Sequence, residues 1–189
     1  EEKCPIFLGV TLDRELAFTE HVKSITKRVR DRVKLLHCLA SKTWGWSKSN
    51  LRKIYIVKMR TLMDYSASAY QPWLTKSQLD KLDDAQNCCL QAVTGLYRTS
   101  NIDCRRIEAN ISSYHTRSKQ LIAAAYEKGK RLPVGHPRRD AIDNSDVVHR
   151  LSRSSFREEG RKLSQTLSIR DAPREQFNIE FPLPWENTC

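Results

Sequence analysis

The chain has no run of about eighteen apolar residues, the length a membrane-crossing helix needs, so nothing in it is expected to span a bilayer. Its opening residues, Glu1-Glu2-Lys3, lack the basic stretch leading into an apolar one that marks a secretion signal. Glycine is scarce, six in 189 residues, and none sits in a phosphate-cradling loop pattern. The six cysteines stand at 4, 38, 88, 89, 104 and 189, and no two form a Cys-x-x-Cys pair. That spacing fits neither a zinc site nor a disulfide framework. They are read as free thiols of a reducing compartment, which places the chain inside the cell, in nucleus or cytoplasm. The five histidines (His21, His37, His115, His136, His149) are scattered, and no metal ligand is assigned among them. No serine, cysteine or lysine stands in a nucleophile motif, so no catalytic residue is assigned either.

What is present is cationic charge, unevenly placed. Residues 1–60 hold fourteen Lys/Arg against six Asp/Glu, a net of +8, and residues 61–189 hold nineteen against sixteen, a net of +3. Charge gathered in one segment points to a polyanion partner; the plainer alternative is a solvated face kept basic for solubility. With 39% apolar and 29% charged residues, the composition is that of a globular protein with a real core.

The periodicity predicts a mainly α fold: a helical bundle, one short N-terminal β strand or hairpin, and an irregular C-terminal tail. Residues 5–12 (Pro-Ile-Phe-Leu-Gly-Val-Thr-Leu) form the β-prone run. A lone strand is unstable in water, so its partner is expected from elsewhere. From Thr19, Val22, Ile25, Val29, Val33, Leu36 and Ala40 make one helical stripe. Lys23, Lys27, Arg28, Arg30, Arg32 and Lys34 fall between them, which makes the outer face basic. Trp44-Gly45-Trp46 is expected to end this helix, with Gly45 as a left-handed cap. A second helix starts at Ser47 or Ser49, buries Leu51, Ile54, Tyr55, Met59, Leu62 and Tyr65, and stops at Pro72. A third opens on Thr75-Lys-Ser-Gln78, which fits a capping box, and closes on Gly95. Helices are predicted over 100–110 and 114–129, a linker over 132–145, a weakly amphipathic helix over 146–167, and an extended tail after Ala172.

Several residues then form an ordered series. Phe7-Leu8-Gly9-Val10-Thr11-Leu12-Asp13 is followed by Phe18-x-x-His21, Leu51-Arg52-x-x-Tyr55 and Tyr65-x-x-x-Ala69-x-x-x-Trp73. Leu79-x-x-Leu82-x-x-x-Gln86-Asn87, Val93-Thr94-Gly95, Arg98-Thr99, Glu108-Ala109-Asn110-Ile111 and Arg117 complete it. In order and spacing this resembles the reverse transcriptases of non-LTR (LINE-type) retrotransposons, in their jockey- and I-like branches, where the palm ends and the thumb begins. The match covers roughly residues 5–130. No single piece is specific; the joint order is. Tyr65-Ser66 stands where the family often has an aromatic-glycine pair, and Thr99-Ser100 where it often has Thr-Pro.

The resemblance implies a fragment of an RNA-directed DNA polymerase. Residues 1–14 would end the palm, 15–131 would form the thumb-like domain, 132–145 a linker, 146–172 a weak helical segment and 173–189 a proline-rich tail. That tail (Phe181-Pro182-Leu183-Pro184-Trp185) is similar to the linker before a ribonuclease H domain, expected beyond Cys189. The metal-binding carboxylates of such a polymerase lie upstream, on a palm hairpin, so Mg2+ is expected for the parent enzyme and no cofactor for this chain. The chain alone is expected to be inactive. Asp83-Asp84 is no substitute: neighbours on a helix diverge, and both are expected to face solvent. The implied partners are the RNA–DNA template–primer duplex, the palm and the ribonuclease H domain, with no membrane. Lys23, Lys27, Arg28, Arg30 and Lys34 are the candidate duplex contacts. Phe7, Leu8, Gly9 and Val10 are the candidate primer-proximal segment, against the plainer reading of a buried strand with a structural glycine. Trp44, Trp46 and Trp73 are expected to close the helical core, with base stacking as the alternative. A repurposed helical module that binds protein is the competing function.

Overall fold

The computed structural model describes residues 4–41, 44–143, 155–167 and 169. The mainly helical expectation holds. The elements run β1 (Ile6–Phe7), β2 (Val10–Thr11), α1 (Thr19–Leu39), α2 (Lys48–Ile54), a π-helical turn (Tyr55–Arg60), α3 (Thr61–Asp64) and α4 (Ala67–Tyr70). A 3-10 turn (Gln71–Trp73), α5 (Lys76–Thr94), α6 (Ile102–Ala109), α7 (Tyr114–Lys130), α8 (Pro137–Asp143) and α9 (Phe156–Thr166) follow. The chain divides into two compact units, 1–122 and 123–189.

In the first unit α1 packs chiefly along α5, and α5 along α6. The predicted stripe is the buried one: Val22, Ile25, Val29, Val33 and Leu36 face the core with Leu82, Cys89, Leu90 and Val93 from α5. Each such side chain taken from water contributes about 1.5–3 kcal/mol. The Thr75–Gln78 capping box forms, and Gly95 caps α5 at φ +68, a conformation that favours glycine. Ser47 caps α2 through the Asn50 N–H.

Of the strand and the hairpin expected at the N-terminus, the hairpin forms, which corrects the expectation that the strand's partner comes from elsewhere. Residues 6–11 fold back on themselves as an antiparallel hairpin, Ile6 opposite Thr11 and Phe7 opposite Val10. Leu8 (φ +46) and Gly9 (φ +79) make the reversal, so the partner strand is local. The turn position is not marked in the sequence, because a leucine at positive φ is uncommon.

The expected second helix is broken. Thr61 Oγ1 donates to the Val57 carbonyl, Arg32 donates to the Lys58 carbonyl, and Ser66 sits at φ +52 between α3 and α4. Leu51, Tyr55 and Met59 face inward as expected, whereas Tyr65 is exposed. Helix α1 ends at Leu39, with Ala40 at its C-cap; Gly45 lies beyond and has no positive φ.

In the second unit, the expected linker 132–145 contains α8, with Pro137 at its first position, where a missing N–H costs nothing. Gly129 leaves room for Ile142, and Gly160 for the Tyr126 ring. α9 has its own capping box, Ser155 with Glu158. Of the helix expected over 146–167, residues 146–154 lie outside the described residues, as does the tail from 170.

Candidate nucleic-acid interface

Three side chains named in the ordered series tie the hairpin to α1. The Asp13 carboxylate accepts the N–H groups of Phe18 (3.1 Å) and Thr19 (3.2 Å), filling the helix's first empty donors. Phe18 is buried in the core. His21 Nδ1 accepts the Thr11 N–H at 3.2 Å, and its ring meets Tyr70 edge-on at 4.8 Å. His21 is only 5% exposed. Burial first, then the nearby Arg28, holds its pKa below the usual histidine value.

This anchoring sets the rotation of α1 and hence where its cations point. Lys23, Lys27, Arg28, Arg30 and Lys34 are all exposed. At about 100° per residue, Lys23, Lys27, Arg30 and Lys34 share one stripe within about 60°, while Arg28 lies more than about 90° away on the His21 side. An open groove of about 440 Å³ runs along the stripe, lined by Lys23, Thr26, Lys27, Arg30, Asp31 and Lys81. Four cations there face one carboxylate. Lys23 pairs with Glu20 at 2.6 Å, an exposed i,i+3 contact that binds weakly in water. Lys27, Arg30, Lys34 and Lys81 make no ion pair among the described residues.

The structure thus brings together Lys23, Lys27 and Arg30, continues them with Lys34, and leaves Arg28 out. Lys81 is the contributor the sequence reading missed. It lies on α5, and only the α1–α5 packing brings it to the groove. Its exposure on the polar side of the α5 pattern was the available signal.

Phe7, Leu8, Gly9 and Val10 are not a buried strand. Val10 is buried, but Phe7 is 65% exposed and Ile6 and Leu8 are similarly bare. The Tyr65 hydroxyl donates to the Leu8 carbonyl at 3.0 Å, and its ring leaves little room for a Cβ at Gly9. Trp44 and Trp46 do not close the core either; they are 67% and 49% exposed, while Trp73 packs against it.

The Asp83-Asp84 pair splits. Asp84 is exposed, but Asp83 is 8% exposed, which corrects the expectation that both face water. Its carboxylate accepts the Tyr114 N–H at 2.7 Å and the Arg106 guanidinium at 2.5 Å, capping α7 and pinning α6. Other residues of the series serve the same structural end. Arg52 donates to the carbonyls of Ala109 and Asn110, Tyr55 donates to Gln86 Oε1, and Arg117 binds Asp64. Burial pushes the Tyr70 hydroxyl up to about 12, so it stays a neutral donor to the Met63 carbonyl.

Among the described residues, no three His, Cys, Asp or Glu side chains converge to hold a metal, and no helix is long and apolar enough to cross a membrane. Cys88 is exposed and Cys89 buried, its thiol pushed up to about 12 by desolvation. Comparison with protein-family models, curated proteins and solved structures finds no match to this chain.

Proposed function

We propose that the chain is the thumb-like part of an RNA-directed DNA polymerase of the non-LTR retrotransposon kind. It grips the RNA–DNA template–primer duplex by its phosphates, without sequence preference. The carboxylates and Mg2+ of polymerisation would be supplied by the palm of the same polypeptide. The observation that carries this reading is the groove of Lys23, Lys27, Arg30 and Lys81, in which Asp31 is the one lining carboxylate and, among the described residues, Lys23 alone is ion-paired, to Glu20. Cations along one helix face need no base contacts to hold a backbone, and so give affinity without specificity. The exposed hairpin tip of Ile6, Phe7 and Leu8 would meet the palm.

Affinity of the chain for an RNA–DNA hybrid, titrated against salt, tests this. Four phosphate contacts imply a log–log slope of about −3 to −4, and each of Lys27→Gln, Arg30→Gln and Lys81→Gln should make it shallower by about one. A flat salt dependence would sink the proposal.

The same hairpin tip favours a second reading, a module that binds protein through Ile6, Phe7, Leu8 and Tyr65. Partners retained after nuclease treatment and high salt, and lost on Phe7→Ser, would select it.

A further inference from the structure

The cations of the stripe end at Lys34, but the exposed face they stand on runs on to the end of α1. That face carries the exposed His37 and Cys38 in the last turn of α1. The Trp44-Gly45-Trp46 turn is fixed at that end. The Trp46 N–H donates to the Leu39 carbonyl at 2.8 Å, and a Cβ at Gly45 would overlap the Ser41 backbone, so only glycine lets the turn lie there. At about 1.5 Å per residue, Leu39 lies roughly 7 Å along the axis from Lys34. The backbone that carries the two indoles is thus held at the end of the helix that bears the row of cations, with Trp44 67% and Trp46 49% exposed.

Exposed aromatic faces beside a cationic track meet the two requirements of binding unpaired nucleotides: charge for the phosphates and a flat surface for the bases. A continuous duplex supplies only the first, because its bases stack on one another. We infer that this surface takes nucleic acid with unpaired bases, the backbone on Lys23, Lys27, Arg30 and Lys34 and the bases on Trp44 and Trp46. This rests on the proposed polyanion-binding role and narrows it to a duplex bearing a single-stranded end. Every base has a face to stack, so sequence preference stays weak.

The full chain is titrated with an oligothymidylate, a blunt RNA–DNA hybrid and the same hybrid with a single-stranded overhang. Trp44→Ala with Trp46→Ala should weaken the first and third by about tenfold or more and leave the blunt hybrid and the salt slope unchanged. Trp44→Phe with Trp46→Phe should recover most of the loss. Equal weakening of all three probes, or of none, overturns the inference and leaves the cation groove standing. A Lys23→Gln, Lys27→Gln, Arg30→Gln, Lys81→Gln variant that binds all three like the unaltered chain overturns the groove itself.

Discussion

Single residues decide how much of this molecule is architecture and how much is surface. Asp83 and Asp84 are sequence neighbours with opposite fates, and nothing local distinguishes them. Asp83 is buried because Tyr114 and Arg106, distant in sequence, converge on it. Removing it takes away one of the two carboxylates on Arg106, which keeps Asp103, and leaves the Tyr114 N–H at the start of α7 without an acceptor, so Asp83→Ala should cost about 2–3 kcal/mol in urea denaturation. Asp84→Ala should stay within about 0.5 kcal/mol. His21 gives a pH signature. Folding lowers its pKa, so the unfolded chain binds the proton more readily. Its contribution is complete above the ordinary value of 6.5 and is lost as pH falls below that value toward the folded pKa. Stability measured from pH 7.5 down to about 5 should therefore decline. His21→Phe, which cannot be protonated, should flatten that decline.

At the level of elements, legibility followed locality. The α1 stripe and the Thr75–Gln78 cap depend on residues three or four apart, and both were readable. The hairpin was one of two readings of residues 5–12, and its turn was unmarked because it needs Leu8 in a conformation leucine rarely takes. Helix α8 was hidden by its shortness and its proline-rich setting. The groove was half-readable: the α1 cations show in sequence, while Lys81 enters only once α5 packs beside α1. Gln78 does more than cap. Its side-chain nitrogen also donates to the Ala17 carbonyl at 2.9 Å and to Thr19 Oγ1 at 3.1 Å, joining the starts of α1 and α5. Thr75→Ala should lower stability by about 1 kcal/mol. Gln78→Ala should lower it by more, since it breaks the cap and the link together.

For the molecule as a whole, net charge and charge placement make separable predictions. Reversing Lys27 and Arg30 to Glu takes the chain from +11 to +7, a change of two units at each site. Reversing the exposed Lys128 and Arg131, which belong to the second unit, does the same arithmetic without touching a groove residue. If affinity for polyanions resides in the groove, only the first pair should elute from heparin at markedly lower salt. Equal shifts would mean that bulk charge alone is at work.

The π-helical turn at Tyr55–Arg60 has an implication for chain length. Such a turn is an α-helix that has swallowed one surplus residue while keeping its flanks in phase. Excising the exposed Val57 should relax it to an ordinary turn and leave Tyr55 and the downstream Met63 on the inner face, for little loss of melting temperature. The same excision at Asp84, in regular α5, would swing Gln86, Cys89, Leu90 and Val93 by about 100° and unfold the unit. Among related chains, insertions and deletions in this stretch should therefore cluster at 56–58 and spare α5.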